Sequence, residues 1–408
     1  MRVLVFFHHD PGLYGILPAQ PTQIVTGGYK RFIEIAKRLD KYDITLDVVE
    51  TAPTYLKAHP NLHYACHEIT TPAIRIAGTR LTDPRIVAYK MAHVGKKLAK
   101  NKQFDLILSP SESMEACLAA YLTSHESRVP VINWIQAPPF EKLSIKGNTS
   151  FSLRKHLVDA YATVCNAADK RLLGYIYNKA FNICVSKTLA TNLSQECRTQ
   201  AVTVCGNGVD INQINSDNSE QCLYDGIFVG RMVPEKGIWE AMEIFKRMCR
   251  ENRAFKFAFI GGGDSRLISA LQAEIRREKL AHNVFVLGYV DEQEKIKLIK
   301  NSKIFIYPTH KEGWGIALGE ALAAQLPVVC YDLPLFKELF NCEAVRMCKE
   351  GNIEQMVAEA MQLIEDSVER ERLGIIGRHF IQTYSWETIT DIETKIYKHV
   401  ADRFRTNG

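Results

Sequence analysis

Short runs of β-branched and aromatic residues alternate along the chain with longer stretches of helical periodicity. In the first half the strand-like runs are residues 2–7, 44–50, 104–109, 129–134 and 182–186. In the second half they are 225–230, 255–261, 284–287, 303–308, 327–331 and 344–347. These runs are apolar on both parities, as happens when helices cover both faces of a parallel sheet. Between them lie amphipathic segments such as residues 29–39, where Phe32, Ile35, Ala36 and Leu39 share one face. The alternation runs twice, which predicts an α/β protein of two Rossmann-like, doubly wound domains. The boundary is expected after Asn207-Gly208-Val209-Asp210, because residues 211–221 are polar, rich in Asn and Ser, and aperiodic. Ser385-Trp386-Glu387 reads as a helix start, followed by Ile389, Ile392, Ile396 and Val400 at helical spacing. The expected domains are therefore 1–207 and 208–385, with helix 386–408 packing back on the first.

Length and composition fit this picture. A chain of 408 residues is too long for one ordinary core, and 46% hydrophobic with 24% charged residues is the soluble globular range. The net charge of +5 is mild for this length; it suits anionic small molecules or an anionic membrane surface and makes no case for nucleic acid. The apolar run that opens the chain turns polar at His8, His9 and Asp10, too soon for a signal segment, and no run reaches membrane-spanning length. A cytoplasmic protein is expected. Peripheral membrane contact stays open through the basic stretch 151–179, with Arg154, Lys155, Lys170, Arg171 and Lys179, although a solvated helix face is the plainer reading. The eleven cysteines are odd in number and form no CxxC pair, so they read as reduced thiols, most of them core residues. Cys342 and Cys348 are a weak metal signal.

Three strand-to-helix turns carry the candidate chemistry. Gly230-Arg231-Met232-Val233-Pro234-Glu235-Lys236-Gly237 follows a strand and opens a helix. Pro234 suits a first helical turn, and a helix N-terminus presents unpaired N–H groups that favour phosphate. Arg231 offers a planar fork for phosphate oxygens and Lys236 a mobile point charge. Gly261-Gly262-Gly263-Asp264 permits close backbone approach, with Asp264 as N-cap, though a tight turn explains it equally well. In Tyr307-Pro308-Thr309-His310-Lys311-Glu312-Gly313-Trp314-Gly315-Ile316-Ala317-Leu318-Gly319-Glu320, glycines bare N–H groups at a helix start near Gly315. Glu312 is placed to accept hydrogen bonds from sugar hydroxyls and Glu320 from a ribose diol; taken alone, Glu320 reads more simply as an ordinary solvated helix residue.

The combination GRMVPEKG, GGGD, EGWGIALGE with glutamates eight apart, and then LPVV resembles the retaining, GT-B-fold glycosyltransferases of the family 4 type, glycosyl transferases group 1. The resemblance is strongest over residues 225–345. Thr26-Gly27-Gly28 is similar to the family's glycine loop, and Asn207–Asp210 to its domain-border motif. It implies two domains facing a cleft, with Arg231 and Lys236 neutralising the donor diphosphate and, with Glu312, carrying catalysis. Donor binding would involve Gly230, Gly263, Val290, Glu312, Gly313, Trp314, Gly315, Ile316 and Glu320, with residues 287–290 near the base. Gly27, Gly28 and Gln136 would form the acceptor or phosphate side. Many relatives carry a histidine where Gln136 stands; Gln can hydrogen-bond a sugar hydroxyl but cannot carry a proton. His8 and His9, at the end of the first strand, are further candidates.

The expected activity is transfer of a sugar, in all expectation a hexose, from a UDP- or GDP-linked donor to the hydroxyl of a glycan, lipid or small-molecule acceptor, with retention. No cofactor or metal is expected, since Arg231, Lys236 and a helix end supply positive charge and no Asp-x-Asp motif accompanies them. The alternatives are a noncatalytic sugar-nucleotide-binding subunit and a GT-B-fold phosphorylase or epimerase.

Overall fold

The computed structural model describes residues 1–8, 27–51, 64–69, 74–76, 79–81, 84–137, 167–199, 202–216 and 222–407. The chain divides into two compact units. One holds the first strand, Gly28–Cys205 and Thr390–Gly408; the other holds Gly206–Ile389.

The first unit is built on a seven-stranded sheet. Its strands are β1 (Arg2–Phe7), β2 (Thr45–Glu50), β3 (Tyr64–Glu68), β6 (Leu106–Ser109), β7 (Val131–Ile135), β8 (Phe181–Cys184) and β9 (Val202–Val204). A separate antiparallel pair, β4 (Ile74–Ile76) and β5 (Thr79–Leu81), lies outside it. The order β3-β2-β1-β6-β7-β8-β9 is parallel at every pairing. Val3, Leu4, Val5 and Phe6 of β1 are all fully buried, which is why this strand is apolar on both parities. Helices Pro84–Asn101 and Met114–Ser127 cover one face; small residues Ala116, Ala119 and Ala120 join Phe6, Met91 and Ile107 in one core. Gly95 lies where a Cβ would meet the Phe6 ring at 2.3 Å, so the close approach of that helix depends on it.

The last helix, Trp386–Asn407, joins this unit from Thr390 onward. Arg31, on helix Gly27–Ala36, makes a fully buried ion pair with Glu393. The Arg31 guanidinium lies 4.8 Å from the centre of the Trp134 ring, and Tyr397 Oη donates to Glu393 at 2.6 Å. Nearer the end of the helix, Arg405 pairs with Asp105.

The second unit carries a six-stranded parallel sheet: β10 (Tyr224–Val229), β11 (Phe257–Ile260), β12 (Val284–Gly288), β13 (Ser302–Tyr307), β14 (Val328–Tyr331) and β15 (Val345–Cys348). The order is β12-β11-β10-β13-β14-β15. The winding direction reverses at β10, and crossovers leaving a switch point in opposite directions open a crevice at the carboxyl ends of the strands. The loops after β10 and β13 stand at that point.

The structure departs from the sequence expectations in particular places. β3, β4, β5 and β9 were not expected; β3 and β9 are edge strands, half exposed, and show no strong alternation. Residues 211–216, expected to be linker, form helix Ile211–Ser216, capped where the Gln213 N–H donates to Asp210 Oδ1 at 3.0 Å. Six residues are too few to show a period. The helix expected over 29–39 runs Gly27–Ala36 and is followed by a 3-10 turn, Leu39–Tyr42. Among the described residues no helix is long and apolar enough to cross a membrane.

Candidate functional site

At the carboxyl end of the second sheet, four loops are fastened to one another through glycine. Gly261, at φ +142°, lies so close to the Gly230 carbonyl that a Cβ would meet its oxygen at 1.8 Å. Gly263 approaches Met232 O in the same way, at 2.4 Å, and the Met232 N–H donates to Gly262 O at 2.8 Å. The Gly261 N–H reaches Gly288 O at 2.8 Å. Gly237, left-handed at φ +71°, would put a Cβ 1.9 Å from Pro308 O. The His310 N–H donates to Glu235 O at 2.9 Å, and Thr309 Oγ1 to the same oxygen at 3.2 Å. The turns singled out in the sequence are therefore one surface. Pro234 opens a 3-10 turn, Pro234–Lys236, and the α-helix starts only at Ile238, so Lys236 stands on the loop rather than on the expected helix.

The charged groups on this surface are organised in pairs. Lys236 Nζ forms an ion pair with Glu312 and also donates to Lys311 O at 3.0 Å. Tyr307, at the end of β13, donates its hydroxyl to the same Glu312 oxygen. Burial, then the nearby Glu312 carboxylate, push the Tyr307 phenol well above its ordinary range, while the Arg231 charge partly opposes this. Arg231 itself is exposed. Glu320 is 2% exposed, unlike an ordinary solvated helix residue, and both its oxygens lie 2.8–2.9 Å from Lys295 Nζ. Gly230, Gly313 and Ile316 are partly buried, and Gly315, at φ +101°, caps helix Ile316–Ala323. The first N–H groups of that helix have no intrahelical acceptor, which is the arrangement that favours an anion. Val290 is partly exposed between β12 and helix Glu292–Lys300. The Trp314 side chain is core, 2% exposed and packed edge-on against Phe340 and Tyr384, so any ligand contact from this residue is through its backbone.

In the first unit, Gly28 lies in the first turn of helix Gly27–Ala36, and a Cβ there would meet Gln136 Nε2 at 3.0 Å. Gln136 Nε2 donates to Pro110 O at 3.1 Å and to Gly28 O at 3.4 Å. The structure thus brings Gly28 and Gln136 together. Gly27 opens its helix, and His9 lies outside the described residues, as do Arg154 and Lys155 of the basic stretch. Lys170, Arg171 and Lys179 fall on a helix over residues 167–179, where Lys170 pairs with Glu196 at 3.3 Å. His8 Nδ1 is 2.9 Å from Thr51 Oγ1, and Nε2 is 3.5 Å from Glu115. Beside Gln136 stands Glu112, which accepts its backbone N–H at 3.4 Å. Burial pushes the Glu112 carboxyl up, against the pull of backbone donors.

Sequence reasoning missed Tyr307, Lys295, Glu112 and His310. His310 bridges Glu240 at 2.8 Å and Glu350 at 2.6 Å, beside the Glu312 loop. Tyr307 ends a strand and Lys295 sits in a charged helix, so neither differs in type from a structural residue. Both Tyr307 and His310 lie inside a quoted motif, but only His310, a histidine on its loop, is of a type that stands out. Cys348 is buried and Cys342 half-buried, and among the described residues no His, Cys, Asp and Glu cluster could hold a metal.

Residues 213–380 match the family model of glycosyl transferases group 1. An uncharacterized glycosyltransferase of Methanocaldococcus jannaschii is 25% identical over 320 residues, covering 78% of this chain and 81% of its own length. The capsular polysaccharide biosynthesis glycosyltransferase CapM of Staphylococcus aureus is 24% identical over 288 residues, 67% of this chain and 70% of its own. HepE of Anabaena, solved in complex with UDP and glucose, shares the fold with a TM-score of 0.73 at 17% identity, covering 98% of this chain and 100% of its own. The chain thus shares the two-sheet GT-B fold of HepE across nearly its whole length, and over residues 213–380 it is similar to the group 1 glycosyltransferases.

Proposed function

We propose that the protein transfers a hexose from a UDP- or GDP-linked donor to an acceptor hydroxyl, with retention of anomeric configuration. The observation that carries this reading is the fastened surface at the β10/β13 switch point, where Arg231, Lys236 and the N-terminus of helix Ile316–Ala323 share one crevice edge with Glu312 and Glu320. In glycosyl transfer the C1–O bond to the diphosphate breaks while a bond from the acceptor oxygen to C1 forms, and the acceptor hydroxyl's proton passes to an oxygen of the departing diphosphate. Negative charge grows on the leaving diphosphate, and preorganised cations and helix N–H groups stabilise it where it develops. Lys236 would exchange the Glu312 carboxylate for a phosphate oxygen, and Glu312 would turn to sugar hydroxyls. Glu320 would hold the ribose, with Gly263 and Val290 along the nucleoside. Gly28 and Gln136 belong to the acceptor or phosphate side, where Gln136 serves as hydrogen-bonding group and not as proton carrier.

HepE, with UDP and glucose bound, supports a uridine donor by likeness of fold. CapM, acting in capsular polysaccharide biosynthesis, supports a glycan acceptor by likeness of sequence. The cations already present make a divalent metal unnecessary, so chelator leaves the rate unchanged. Purified protein is expected to release UDP or GDP from one sugar donor in an acceptor-dependent way. Arg231→Ala lowers turnover by about 100-fold or more, the scale for removing one such charge-stabilising donor, and Glu320→Ala chiefly weakens donor binding. The glutamine at position 136 favours the second reading, a binding subunit; tight donor binding with no turnover over any acceptor would establish that instead.

A further inference from the structure

We propose that Lys295 is a positioning residue for nucleoside recognition: its ammonium fixes the orientation in which the buried Glu320 carboxylate receives a ribose diol. This rests on the reading of Glu320 as the ribose ligand. Glu320 sits on an otherwise apolar helix, flanked by the fully buried Leu318, Ala321 and Leu322. A carboxylate in such surroundings is costly to bury without an opposite charge and hydrogen-bond donors beside it. Lys295 supplies both from a different element, helix Glu292–Lys300, whose start is fixed by the Asp291 cap, Oδ1 accepting the Glu294 N–H at 2.8 Å.

The geometry goes beyond charge balance. Lys295 Nζ lies 2.9 Å from Glu320 Oε1 and 2.8 Å from Oε2. It is held in turn by Glu292, one turn back on its own helix, at 3.0 Å. Straddling both oxygens fixes the plane of the carboxylate. Lys295 is 16% exposed and Glu320 3% on their side chains, which keeps water from competing for the pair. The helix bearing Lys295 begins directly after the Gly288–Asp291 loop, so one lysine couples the loop after β12 to the carboxylate on the helix that follows β13.

The test compares binding of UDP with 2′-deoxy-UDP, and of GDP with 2′-deoxy-GDP, by calorimetry. Wild type is expected to favour the ribonucleotide of its own base by about 10-fold or more, the scale of a hydrogen bond to a charged group. Lys295→Met reduces that preference to about twofold, and Lys295→Arg, which keeps charge and donors, restores it, a rescue that a merely structural lysine would not show. Should the methionine variant fail to fold, Lys295→Gln keeps a donor without the charge and must also lose the preference. Glu320→Ala runs alongside. If it loses the preference while Lys295→Met and Lys295→Gln keep it, the proposal for Lys295 is overturned alone. If Glu320→Ala keeps the preference, the ribose reading of Glu320 falls and takes the proposal with it.

Discussion

Gly237 joins the loop that bears Arg231 and Lys236 to the loop that bears Glu312, and substituting alanine there tests the whole arrangement. A Cβ at Gly237 would stand 1.9 Å from Pro308 O and 2.7 Å from Pro308 C. Ordinary carbon–oxygen contacts lie near 3.3–3.6 Å, so the shortfall is about 1.5 Å. The obstacle is backbone on both sides, and one loop must move. Gly351 provides the matched control: its φ of +79° is close to the +71° of Gly237, yet a Cβ there meets nothing within 4 Å. Gly351→Ala should therefore show the left-handed backbone cost alone, about 1–2 kcal/mol. Gly237→Ala adds an overpacking cost of about 1–3 kcal/mol. Relief of the overlap separates Lys236 from Glu312, and a displacement of about 1 Å is enough to lower turnover roughly 100-fold. Urea unfolding of both variants, with donor affinity and turnover at saturating donor, makes the comparison. If Gly237→Ala matches Gly351→Ala in stability and wild type in turnover, the claim that these loops are held in register by a backbone contact is wrong.

Three further outcomes follow from individual contacts. Tyr307→Phe removes the hydroxyl donated to Glu312, and turnover should fall about 10- to 100-fold, the range for a hydrogen bond to a charged group, with little change in the thermal midpoint; an unchanged rate would show that Glu312 does not depend on it. Arg31→Met leaves Glu393 buried without its cation and should cost about 3–5 kcal/mol in urea unfolding, whereas Arg31→Met with Glu393→Leu should recover most of the loss; no recovery would mean that the pair stabilises beyond its own desolvation. Burial pulls the His310 pKa down, but Glu350 and Glu240 outweigh it, so the folded value stands above the ordinary 6.5. A raised folded pKa gives stability that is fully present below 6.5 and is lost as pH rises through the folded value. Urea midpoints should therefore decline upward from that pH, and His310→Gln should flatten this part of the profile; identical profiles would refute the bridge.

Much of the second unit was legible because its strands are buried on both faces. The apolar runs at 225–230 and 303–308 found β10 and β13 to within a residue or two at either end. Cap residues were equally readable: Asp264 accepts the Arg266 N–H at 2.9 Å, and Ser385 Oγ accepts the Thr388 N–H at 3.1 Å. Edge strands β3 and β9 escaped because half-exposed strands carry no continuous apolar signal. The role of Gly237 and Gly261 was visible only as glycine. What presses on them is the carbonyl of a residue 71 or 31 positions away in the chain.

The sequence by itself determined that the chain forms two Rossmann-like sheets and that the candidate site groups stand on strand-to-helix turns, since apolar runs, caps and glycines are local properties of a segment. Only the tertiary structure decided that Glu320 is buried against Lys295, that Tyr307 and Lys236 meet on one Glu312 oxygen, and that the Trp314 side chain belongs to the core. Partnership and burial depend on which distant elements come to lie beside a residue, and the strand order that brings β10 next to β13 is written in no single stretch of the chain.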